Sequence, residues 1–182
     1  MTVKRLIIAL ALAGTAAGTL AGCGGDDKKD AAKGPEVAWA TKVCGAVDQS
    51  AARVALPSTS SDPKQYRRNV VTFLGDVSTR LKSMEASLQS AGSPPVSGGQ
   101  GSVDQALAKL RTTRASVEQA RARLAKVQIT DQRSLQREMQ KLSKVMVTSA
   151  TYRGPKEDLR ANPALTKAFD NADNCKTAPA KP

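Results

Sequence analysis

Between Val70 and Leu88 apolar side chains recur in a four-three alternation, Val70, Leu74, Val77, Leu81, Met84 and Leu88, and no other feature restricts the fold so strongly. This spacing lays one apolar edge along about five turns of helix, and such an edge is stable only when another helix covers it. Asp62 is the expected N-cap and Pro63 suits the first helical position. Ser93 to Gly101, Ser-Pro-Pro-Val-Ser-Gly-Gly-Gln-Gly, is expected to break the helix completely. Ser102 and Gln105 then have capping-box spacing. They open a second edge of Val103, Ala106, Leu110, Thr113, Val117, Ala120, Leu124 and Val127, in which large and small residues alternate.

The flanking sequence reads the same way. A first helix is expected from Pro35 to about Val54, with Ala40, Val43, Val47, Ala51 and Val54 on one side and Cys44 beside them. Near Ile129 the phase changes, Thr130 or Asp131 can cap, and Leu135, Met139, Leu142 and Met146 begin a fourth stripe. After Gly154 and Pro155 a connecting segment leads to Asn162-Pro163 and a brief helix carrying Leu165, Phe169 and Ala172. One Trp, two Tyr and two Phe are the only aromatics, so Ala, Leu and Val must build the core. The expected fold is all-α: an antiparallel up-and-down bundle of four main helices plus a short C-terminal helix, closed by one disulfide. The alternative is an extended antiparallel hairpin of the second and third helices with the rest packed along it.

The chain opens with Lys4 and Arg5, an apolar run from Leu6 to Leu20, and Leu20-Ala21-Gly22-Cys23. This layout resembles a bacterial lipoprotein signal with its lipobox. The resemblance implies cleavage of residues 1–22 and a diacylglycerol thioether on Cys23. Two acyl chains hold a protein stably on a membrane where one does not. A plain secreted protein and an uncleaved membrane helix are the competing readings. Residues 23–34 are short, charged and poor in apolar side chains, which suits a flexible tether reaching under about 40 Å. Residues 35–176 are then the bundle domain, and 177–182 a disordered tail. The expected location is the extracytoplasmic face of the cell membrane.

Setting Cys23 aside, Cys44 and Cys175 form an even pair, which in an exported chain predicts a disulfide. Two buried free thiols, or a metal site, are the alternatives. Histidine is wholly absent, so two cysteines alone make a poor zinc site and no imidazole can activate either thiol. No cofactor or metal is expected. Asp104, Glu118, Asp131 and Glu138 fall on expected solvent faces among basic neighbours. Gly98-Gly99-Gln100-Gly101 lacks the strand before it and the Lys-Ser or Lys-Thr after it that a phosphate loop needs. No serine sits in an elbow motif. The chain is therefore read as a non-enzyme.

Charge is the remaining clue. The net charge is +12, and between Ser102 and Arg153 eleven basic residues face four acidic ones. Arg114 and Arg121 lie one heptad apart, and Arg137, Lys141 and Lys144 line up on the next helix. These five are the candidate anion-contacting face, with anionic lipid head groups or wall polymers as partners. The competing reading is that they only solvate the bundle. Nucleic acid is set aside, because export removes the protein from it and the basic run lacks interleaved aromatics for stacking.

With the lipobox, Trp39-Ala40-Thr41-Lys42-Val43-Cys44-Gly45-Ala46 and Ala168-Phe169-Asp170-Asn171-Ala172-Asp173-Asn174-Cys175 resemble the small secreted or lipid-anchored proteins of actinobacteria. The resemblance implies an envelope protein with paired cysteines and carries over no catalytic residue. Two functions stay open. The first is a non-catalytic binding or structural module of the cell envelope, anchored through acylated Cys23. The second is a small-molecule carrier or sensor accessory with a cavity between helices.

Overall fold

The computed structural model describes residues 33–50 and 55–176. Cys23, the leader, the start of the tether, Ala51, Val54 and residues 177–182 lie outside them. Helices account for all the regular structure described: α1 (Pro35–Ser50), α2 (Pro63–Ala91), α3 (Gly99–Lys126), α4 (Gln132–Ala150), α5 (Pro155–Leu159), α6 (Pro163–Asn171) and a 3-10 turn at Asp173–Cys175. The expected plain connector after Gly154 is corrected: Pro155 starts a helical turn whose Pro155 and Leu159 are buried.

Side-chain caps fix three of the helix starts. Asp62 accepts from the Lys64 N–H at 2.9 Å, and Asn162 accepts from the N–H groups of Ala164 and Leu165. At α4 it is Asp131 that caps: its carboxylate accepts from the Ser134 N–H at 2.7 Å, while the Ser134 hydroxyl accepts from the Asp131 N–H. That backbone hydrogen bond holds the Asp131 carboxyl below its ordinary range.

The expected capping box at Ser102 is corrected. α3 begins four residues earlier, with Gly98 as its N-cap at φ 68°. Ser102 lies inside the first turn and donates to the Gly98 carbonyl. The Pro-Pro turn makes this start possible, because the Val96 carbonyl accepts the Gly99 N–H at 3.0 Å. A Cβ on Gly99 would lie 2.5 Å from Pro94 Cγ, so only glycine allows the turn to close.

α2 and α3 share the longest contact. Arg67 near the start of α2 donates to the carbonyls of Ala125 and Val127 at the end of α3, at 3.1 and 2.7 Å. Further along, Gly75 abuts Arg121, and Glu85 meets Arg114. The other helices divide this pair between them. α1 sits at the Gly92 end, where Trp39 donates to the Gly92 carbonyl at 3.0 Å and Lys42 to Ser90. α4 covers the opposite end, with Leu135 and Met139 beside Tyr66 and Leu142 beside Ala120 and Leu124. α5 is tied to both neighbours, through Lys109–Asp158 on α3 and Lys156–Asp48 on α1.

Phe169, Leu88, Leu110, Leu159 and Leu165 are the largest fully buried side chains. Each stabilises the fold by about 1.5–3 kcal/mol through the apolar surface it removes from water. The α2 edge differs from expectation. Val70, Leu74, Ser78, Leu81, Glu85 and Leu88 are buried, whereas Val77 and Met84 are only partly covered. Two polar residues thus occupy the α2–α3 contact.

Candidate functional site

Cys44 and Cys175 are joined in a disulfide with their Cα atoms 5.3 Å apart. Cys44 is fully buried in α1, and the bond holds that helix to the 3-10 turn. Trp39 packs beside it against Phe169, ring centroids 6.2 Å apart, and the Arg160 guanidinium lies 5.5 Å from the Phe169 centroid. Trp39 is therefore a core residue with a satisfied indole N–H. Lys33, expected within the flexible tether, is docked: its ammonium donates to the Asn171 carbonyl and to Asp173 at 2.9 Å. Hydrogen bonds from Lys33 and Lys176 pull the Asp173 carboxyl down to about 2. Among the described residues no cluster of three His, Cys, Asp or Glu side chains is placed to hold a metal ion, and no helix is long and apolar enough to cross a membrane.

The five basic residues singled out in the sequence do not form one bare face. Arg114 and Arg121 lie against α2. Arg114 Nε donates to the buried Glu85 at 2.7 Å, with Arg111 3.9 Å from the other carboxylate oxygen. This hydrogen bond and the Glu85 charge raise the Arg114 guanidinium above its ordinary value. Arg121 pairs with Glu118 at 3.4 Å. Glu118 is held below the usual carboxylate range, first by a hydrogen bond from Ser78 and then by Arg121. Lys141 lies elsewhere, over the α3–α4 contact formed by Ala120, Arg123 and Leu124, and is paired with Glu138 at 2.5 Å. Arg137 and Lys144 on α4 are exposed. Sequence spacing alone offers Glu118 to both Arg121 and Arg114, and of these two pairs the ion pair forms with Arg121. Spacing missed Glu85, whose partner is 29 residues away.

The side chains that α2 leaves partly covered line a groove. Phe73, Val77, Leu81 and Met84 from α2, Thr113 and Val117 from α3, and Met146 from α4 enclose about 340 Å³, with Tyr152, Arg153 and Gly154 at its rim. The same Thr113, Tyr152, Arg153 and Gly154 border a second, polar hollow of about 540 Å³, whose far side carries Lys109, Thr112, Glu157 and Asp158. The apolar groove therefore opens directly onto a polar one. Lys109 donates to Asp158 Oδ1 at 2.6 Å. Burial, and then the nearby Asp158 charge, push the Tyr152 phenol up well beyond its ordinary range, so it stays neutral. A third hollow of about 650 Å³ lies between Thr59, Ser60 and Tyr66 on one side and Gln132, Gln136 and Gln140 on the other.

The groove and the hollow beside it have room for a small molecule. The Tyr152 phenol is held protonated, and Asp158 accepts from Lys109 through Oδ1 while its buried Oδ2 has no hydrogen-bond partner among the described residues. The arrangement suits a ligand with an apolar body and a polar end. No family model, curated protein or solved structure matches the chain.

Proposed function

We propose that this chain is a non-catalytic binding module, held by acylated Cys23 on the extracytoplasmic face of the membrane, whose ligand lies in the groove between α2, α3 and α4. One observation carries the groove reading. Val77 and Met84 hold the regular apolar spacing of α2, yet they line an open groove with Phe73, Val117 and Met146 instead of a closed interior. Apolar side chains kept out of the core are a cost that a ligand would recover. The lipobox of the leader supports the anchor, and the disulfide agrees with an oxidising compartment. The kinship with small lipid-anchored actinobacterial proteins belongs to the same proposal, as does the antiparallel topology of the bundle. In its favour, contact partners on α3 descend in number from Ala125 to Arg121 to Arg114 as those on α2 ascend.

A second reading, contact of the basic surface with anionic lipid or wall polymer, is favoured by Arg137 and Lys144. Both are exposed, Lys144 in no ion pair among the described residues and Arg137 near enough to Asp131 to help lower its carboxyl. Binding of N-phenyl-1-naphthylamine, a neutral probe that fluoresces in apolar sites, tests the groove. The intact protein should enhance its emission, and Met84→Glu should abolish the enhancement while the protein keeps a cooperative thermal transition. Labelled palmitate incorporated in the cell, and lost in Cys23→Ser, tests the anchor.

A further inference from the structure

We infer that the groove takes a single-chain anionic amphiphile, its hydrocarbon against Phe73, Met84 and Met146 and its oxyanion on Arg153. This rests on the groove being the ligand site, and it adds the chemistry of the ligand.

The hydrocarbon half follows from the walls. About 340 Å³ is near the lower end of small-molecule sites, room for one slender chain. The walls are aromatic, aliphatic and thioether, and methionines adapt to chains of different shape. Arg153 supplies the other half. It borders both the groove and the polar hollow, so it stands where a chain would end and its head begin.

Its charge is uncommitted. Arg114, Arg121, Lys109 and Lys141 each hold a carboxylate, whereas exposed Arg153 makes no hydrogen bond or ion pair among the described residues. Glu157 lines only the polar hollow and not the groove. The guanidinium fork matches the two oxygens of a carboxylate or phosphate, and such charge-assisted bonds are about twice as strong as neutral ones.

The test uses the intact protein in lipid nanodiscs with diazirine-bearing dodecanoate as a photo-crosslinker, and diazirine-bearing dodecanol as its neutral counterpart. Mass spectrometry should place the dodecanoate label on the peptides carrying Met84, Val117 and Met146. Arg153→Gln should cut that labelling about tenfold while leaving the dodecanol label unchanged. Displacement by unlabelled dodecanoate or dodecyl phosphate supports the oxyanion, and the stronger competitor names the head group. Equal labelling by acid and alcohol, or indifference of the dodecanoate to Arg153→Gln, overturns the amphiphile assignment and leaves the groove standing. If neither probe labels those peptides, the groove reading falls as well.

Discussion

Glu85 is an unusual residue to find between two helices, and breaking its ion pair should cost unequal amounts from the two sides. The residue is 8% exposed, and its carboxylate depends on Arg114 at 2.7 Å with Arg111 3.9 Å away. Arg114→Met strands a nearly dry carboxylate. Breaking a fully buried pair this way costs about 3–5 kcal/mol. The Arg114 side chain is 35% exposed and Arg111 stays close, so screening and partial replacement reduce the expected loss to about 2 kcal/mol. For a domain of this size that lowers the melting temperature by about 6 °C. Glu85→Leu is different, because it continues the apolar run of Leu81 and Leu88 and leaves Arg114 free to turn into water. Its cost should stay within about 1 kcal/mol, and the double variant should be no worse than Glu85→Leu alone. Urea unfolding of all four proteins gives the double-mutant cycle. Equal losses from the two single variants, or simple addition in the double, would refute the account of a desolvated acid sustained by its partner.

Three further expectations follow from the geometry. The disulfide spans 131 residues, so Cys44→Ala with Cys175→Ala should remove about 5 kcal/mol by the loop-entropy relation; a loss under about 1 kcal/mol in non-reducing urea titrations would contradict it. Asp131→Ala deletes the carboxylate half of the α4 capping box and should cost about 1 kcal/mol, read as a shift in the denaturation midpoint at unchanged slope. In a Tyr66→Phe background the only remaining tyrosine is Tyr152, whose phenol should show no ionisation band at 295 nm at pH 11 while the fold persists. Because its folded value is raised, its contribution to stability is complete below about pH 10 and declines as the unfolded chain begins to ionise above it.

Much of the architecture was legible because it is written locally. Asp62-Pro63 and Asn162-Pro163 announce helix starts in adjacent residues, and the caps formed as the side chains require. The α2 edge was only half legible. At about 100° per residue, Val77 and Met84 fall roughly 35° and 55° to one side of the mean direction of Val70, Leu74, Leu81 and Leu88, and Glu85 and Ser78 roughly 45° and 65° to the other, so only the packing of α3 decides which flank is buried. A four-three reading treats all apolar members as equivalent and so hid both the buried acid and the groove. The α3 start was missed for a different reason: the Pro94 carbonyl and ring shape a turn that only Gly99 fits, a three-dimensional match that helix propensity does not register. The rim at Arg153 depends on where Tyr152 and Gly154 bring the chain back to α3, and no local pattern encodes that return.

The Lys33 clasp on Asp173 and the Cys44–Cys175 bond sit at the same end of the molecule, the end at which the chain leaves α1 toward its beginning. Any pull on the segment preceding Lys33 meets the Lys33–Asp173 ion pair first, then the Trp39 and Lys42 contacts with the end of α2, and behind these the covalent bond that ties Cys44 to the C-terminal turn. Mechanical load arriving from that side would be shared by both extremities of the domain, and the groove near Met146 would be spared the strain.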